Sequence, residues 1–92
     1  MGVKEVNLVE VSSPGCEHCR HFREFWQSIA MDWPQVKFRE VSVTTPEGQT
    51  LAGQHLIFAS PGIIINGELF STGGVNRNEL SKKLRELLGK TS

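Results

Sequence analysis

Two cysteines, Cys16 and Cys19, stand three residues apart where a strand-like run gives way to a helix. They are the only cysteines in the chain. The spacing lets the two sulfurs close a disulfide within one helical turn. It also lets one sulfur hold a partner while the other waits to release it. A helix N-terminus favours the thiolate form of a cysteine placed there. A Cys-x-x-Cys beside a strand–helix pattern in a small chain reads first as a redox centre. As a structural staple the pair would do little, because the loop it closes is very short.

The residues around the pair set the element order. Val6 to Val11 is a short run rich in β-branched residues, closed by Ser12-Ser13-Pro14-Gly15, which predicts a strand and a turn. Phe22, Phe25, Trp26 and Ile29 then fall at i, i+3, i+4 and i+7, the apolar stripe of an amphipathic helix. This helix ends before Pro34, which disfavours helical geometry at Trp33. Val36, Phe38, Val41 and Val43 mark a second strand, whose alternation falters at Arg39-Glu40. Thr45-Pro46 is a hydroxyl cap followed by proline at the first helical position. The helix it starts is short, reaching Ala52 or His55, and Gly48 and Gly53 weaken it.

Gly62 to Ile65 is a buried strand, and Asn66-Gly67 turns it into a hairpin with Glu68 to Ser71. Asn76 and Glu79 form a capping box before Leu80, Leu84, Leu87 and Leu88, and Gly89 ends that helix. The order is β-α-β-α-β-β-α. A β-α-β start is a right-handed crossover between parallel strands. The expected fold class is α/β: one mixed four-stranded sheet with helices on both faces. Phe22, Phe25, Trp26 and the Leu80–Leu88 set read as core. Trp33 reads as partly exposed, and Lys82, Lys83, Arg85 and Glu86 as a solvated helix face.

Ninety-two residues suffice for a single domain, taken as 1–92. The formal charge is zero, which speaks against nucleic acid or a membrane surface as partner. No run approaches the ~20 apolar residues that span a bilayer. The start, Met1-Gly2-Val3-Lys4-Glu5, has no leader pattern, and Val6 stands where a myristoylation signal has Ser or Thr. The expectation is a cytoplasmic monomer.

The element order, Cys16-Glu17-His18-Cys19 opening the first helix, and Ser60-Pro61 before the third strand resemble the thioredoxin-like superfamily. The likeness covers nearly the whole chain and is closest to the minimal, glutaredoxin-sized form. It implies a thiol–disulfide oxidoreductase that needs no cofactor and acts on protein disulfides, with an upstream thiol reductase or glutathione to restore the dithiol. It implies a cis peptide before Pro61, which lies against the dithiol, and backbone contact with an extended substrate at Ser60. Gly73 or Gly74 matches the family's glycine after the hairpin.

The chain also departs from the named subfamilies. Thioredoxins carry Gly-Pro between the cysteines and tryptophan before them; here the pair is Glu17-His18, preceded by Gly15. Glutaredoxins carry Pro-Tyr and a lysine shortly upstream; Ser12-Ser13-Pro14-Gly15 supplies no cation, which bears on glutathione use. A histidine before the second cysteine is similar to strongly oxidising periplasmic members, with Glu17 in place of their proline.

On this likeness Cys16 is the nucleophile and Cys19 the resolving thiol. A free thiol of pKa ~8.5 is only a few per cent thiolate at neutral pH, and a helix start lowers that value. A protonated His18 stabilises the Cys16 thiolate, while Glu17 opposes it. Glu10 takes the position of the family's buried acid, six residues before the first cysteine, where burial raises its pKa toward that of a useful base. The alternative is a glutaredoxin-like binding module. In it Cys16, Cys19 and His21 hold a soft metal, or the same cysteines hold an iron–sulfur cluster across a dimer with glutathione.

Overall fold

The computed structural model describes residues 5–89, so the reading made of Met1–Lys4 falls outside it. The strands are β1 (Val6–Ser12), β2 (Val36–Ser42), β3 (Gly62–Ile65) and β4 (Glu68–Thr72). The helices are α1 (Glu17–Ile29), α2 (Pro46–His55) and α3 (Arg77–Leu88). A 3₁₀ turn, Ala30–Asp32, follows α1. The strands form one sheet in the order β2-β1-β3-β4. β1 pairs parallel with β2 and antiparallel with β3, and β3 pairs antiparallel with β4. This is the mixed four-stranded sheet with helices on both faces that the element order predicts.

Strand periodicity distributes the helices. Val6 and Leu8 point to one face and join Phe22, Trp26, Ile63, Ile65, Leu80 and Leu84, so α1 and α3 share that face. Val11 and Ile64 point to the other and meet Ile57, with Leu51 and Ala52 of α2 packed against them. Fully burying a side chain such as Leu80 or Leu84 contributes roughly 1.5–3 kcal/mol. β2 is an edge strand. Its even positions lie toward α1, where the Phe38 ring centroid sits 6.1 Å from that of Phe22 and 6.0 Å from that of Trp26.

The helix starts are capped as their residues suggest. Thr45 Oγ1 accepts from the Gly48 N–H at 3.0 Å, and Asn76 Oδ1 from the Glu79 N–H at 3.0 Å. Gly48 weakens α2 as a helix but permits its packing. A Cβ there would collide with the backbone carbonyl of Ser42, so only glycine lets α2 approach β2 this closely.

Two expectations about the aromatic residues need correcting. Trp33 is buried, with 9% of its surface exposed, because the 3₁₀ turn carries the chain back over the core. Its N–H donates to Ala30 C=O and its own C=O accepts from the Val36 N–H, both at 3.0 Å. Phe25 is only half-buried: it packs against the edge of the core, with the Arg77 guanidinium 4.7 Å above its ring. Among the described residues no helix is long and apolar enough to cross a membrane.

Candidate active site

Cys16 is the N-cap of α1, in extended conformation, and its Sγ accepts from the Cys19 N–H at 3.1 Å. An N-cap acceptor satisfies one of the donors that a helix start leaves unpaired. In this chain a sulfur does that work, and the same sulfur is joined to Cys19 in a disulfide whose Cα atoms are 5.2 Å apart. The two cysteines differ in access: Cys16 is half-buried, whereas Cys19 is 1% exposed. An incoming sulfur meets Cys16 first.

Glu17 and His18 both point outward, but Glu17 does not act as a lone anion. Arg20 Nη2 lies 2.7 Å from its carboxylate, and the hydrogen bond and charge of Arg20 hold the Glu17 pKa below its ordinary value. Arg20 also reaches Glu24 at 2.9 Å. His21 Nε2 is 4.0 Å from Glu17 and 3.4 Å from Arg20 Nη2. Among the described residues no three His, Cys, Asp or Glu side chains are grouped to hold a metal ion.

Beneath α1, Glu10 is completely buried on the central strand. Burial raises its pKa to about 7. Arg23 opposes that rise through its charge and a hydrogen bond, and Glu40 adds to it. Arg23 Nη1 lies 3.4 Å from each Glu10 oxygen and 2.9 Å from Glu40 Oε2. Ser12 Oγ donates to the same Glu40 oxygen at 2.8 Å. Arg23, Glu40 and Ser12 line a cleft of about 310 Å³ together with Cys16 and Arg20.

Sequence reasoning singled out Glu10 and missed its partners. The signals were present in two places. Arg23 lies four residues past Cys19 and one past Phe22, on the buried side of a helix whose stripe is otherwise apolar. The faltering alternation at Arg39-Glu40 is where β2 stops burying even positions and buries Val41 instead, leaving Glu40 on the face toward α1.

The remaining predicted site residues cluster around the same end of the sheet. Val11 pairs with Gly62, so Ser60–Pro61 enters β3 where β1 departs for Cys16. The Ser60–Pro61 peptide is cis, Pro61 is buried and Ser60 is half-buried. Gly73, with φ of 78°, donates its N–H to Pro61 C=O at 3.0 Å, which ties the end of the hairpin to the proline loop. Gly74 lines a second cleft, of about 100 Å³, with His18, His21, Phe25 and Arg77. His18 thus borders this cleft and not the one beside Cys16. Ahead of Ser60, Phe58 is 90% exposed, an apolar ring that the sequence reading left unassigned.

A family model described as a thioredoxin domain matches residues 7–87. A search of curated protein sequences found no match. Among solved structures the chain is similar to a thioredoxin of Fasciola hepatica, with 21% identity and a TM-score of 0.71 over 91% of this chain and 82% of that one. It is also similar to oxidised mitochondrial thioredoxin 3 of Saccharomyces cerevisiae, with 20% identity and a TM-score of 0.72 over 91% of this chain and 80% of that one.

Proposed function

The chain belongs to the thioredoxin domain family, and we propose that it is a thiol–disulfide oxidoreductase that exchanges or reduces protein disulfides through Cys16 and Cys19. The observation that carries this reading is the asymmetric pair at the start of α1: a reachable Cys16 at the cap and a buried Cys19 one turn in.

In the reducing direction the Cys16 thiolate attacks one sulfur of a substrate disulfide. The substrate S–S bond breaks, one substrate thiolate leaves and takes up a proton, and a mixed disulfide forms on Cys16. Cys19 then gives its proton to Glu10 and attacks Cys16 Sγ. The Cys16–Cys19 bond forms, and the second substrate sulfur leaves as thiolate. Two electrons have passed from the dithiol to the substrate. A thiol reductase or glutathione returns them by the reverse exchange.

The N-terminus of α1 favours the Cys16 thiolate, and Arg20 mutes the opposing charge of Glu17. Ser60, Pro61, Gly73 and Gly74 form the backbone edge along which an extended substrate lies. Leu56 and Phe58, 66% and 90% exposed two residues apart ahead of Ser60, support a protein partner, since neighbouring apolar side chains left in water favour a contact surface. The protein acts as a cytoplasmic monomer without a cofactor.

Insulin reduction with a thiol donor tests the reading. Cys16→Ser abolishes turnover, and Cys19→Ser accumulates a mixed disulfide with the substrate. Full turnover in both variants would refute it. The reduction potential against glutathione then fixes the direction, within a range from about −270 mV for thioredoxin to about −120 mV for the strongest oxidant of this chemistry.

A further inference from the structure

We infer that Arg23 and Glu40 form a charge clamp that holds the buried Glu10 ready to take and return a proton beside the cleft that holds Cys16. The inference rests on the redox reading above and assigns two positioning residues to it.

The clamp is assembled from three elements on the face of the sheet covered by α1 and α3. β1 supplies Glu10 and Ser12, β2 supplies Glu40, and α1 supplies Arg23. Glu10 and Glu40 are register partners on neighbouring strands, and the partner of Glu10 on β3 is the apolar Ile63. Arg23 and Glu40 are therefore the charges that face Glu10, and Ser12 supplies the neighbouring hydroxyl.

The geometry of Arg23 is that of a shared cation. Its tighter contact, 2.9 Å, is to Glu40, and the two contacts to Glu10 are longer, at 3.4 Å. When Glu10 is protonated, Arg23 keeps a partner in Glu40, so no cation is left stranded. When Glu10 is ionised, Arg23 is already in place to hold the anion. Either state of Glu10 is therefore tolerated, as a group that takes and returns a proton requires.

The clamp also faces the cleft. Glu10 itself has no exposed surface, but Arg23, Glu40 and Ser12 all line the cleft beside Cys16. Arg23 stays protonated and relays nothing; it and Glu40 act on Glu10 by charge. The two charges act in opposite senses on the same carboxyl, because a nearby cation favours its ionised form and a nearby anion its neutral form.

The test is a carbon-13 NMR titration of the Glu10 carboxyl in the oxidised protein, alongside the pH profile of release of the Cys16 mixed disulfide in the reduced protein. Arg23→Gln should move both midpoints upward by roughly one unit or more, and Glu40→Gln should move both downward. Arg23→Lys, which keeps the charge, should restore most of the first shift. Midpoints that stay in place, shifts of the same sign in both variants, or a carboxyl shift without the matching kinetic shift would each overturn the clamp. Should Arg23→Gln not fold, Glu40→Gln and Arg23→Lys decide alone. The carboxyl titration needs no turnover, so a failure of the clamp is read separately from a failure of the redox reading, which Cys16→Ser reports.

Discussion

Glu10 and Glu40 occupy one register position on the parallel β1–β2 pair, two carboxylates side by side on the same face of the sheet. Like charges so placed destabilise a sheet unless something intervenes. Arg23, descending from α1, lies within 3.4 Å of both. The consequences of this arrangement are measurable in the folded protein at equilibrium.

Stability should depend on pH through Glu10. Its pKa stands at about 7 in the folded state against an ordinary value of 4.5. The folded state therefore holds the proton more tightly between those values, and stability falls as pH rises through that window, then levels off. The whole change is on the order of 3 kcal/mol. Glu10→Gln keeps the shape and removes the ionisation. Its Tm by circular dichroism should vary less across the window and exceed that of the parent at about pH 8. A Tm curve that tracks the parent at every pH would contradict the assignment.

The thiol chemistry should respond to Arg20. Removing it in Arg20→Ala leaves Glu17 uncompensated beside Cys16, which raises the thiol pKa and slows alkylation of the reduced protein by iodoacetamide at neutral pH. Glu17→Gln should speed the same reaction. Each change should be roughly two- to fivefold, the scale of an exposed ion pair, and should shrink at high salt. Equal rates in both variants would remove Arg20 from the account.

Phe58 should matter for protein substrates alone. Phe58→Ser should raise KM for a protein disulfide several-fold while leaving kcat and the reduction of a small aromatic disulfide unchanged. An equal loss with both substrates would mean that the ring supports the loop and not the partner.

Packing of α2 should depend on position 48. Gly48→Ala adds a methyl group where the Ser42 carbonyl already lies, and should destabilise the protein by about 2 kcal/mol or more in urea unfolding. Gly53→Ala, with open space around it in the same helix, should be neutral or stabilising. The contrast separates close approach from helix propensity.

Local chemistry made most of the architecture readable. Caps at Thr45 and Asn76, the Asn66-Gly67 turn and the apolar stripes of α1 and α3 each act within a few residues, so they declare themselves in sequence. The candidate site was legible where the Cys16–Cys19 motif and the element order mark it, as at Glu10 and Ser60–Pro61. It was unreadable where distant elements meet: Arg23 and Glu40 become partners only once α1 crosses the β1–β2 pair. The burial of Trp33 was hidden for a related reason. Pro34 marks a helix end, but not the 3₁₀ turn that folds the indole back onto the core.

The cap of α1 couples chemistry to secondary structure. The acceptor that secures the first turn is the sulfur that reacts. A thiolate there is a stronger acceptor than a disulfide sulfur, so the Cys19 amide senses every covalent state of Cys16. Its proton chemical shift and its exchange with solvent thus form a built-in gauge. Reduction to the Cys16 thiolate should tighten the helix start, an outcome read as slower exchange of the Cys19 amide than in the disulfide form.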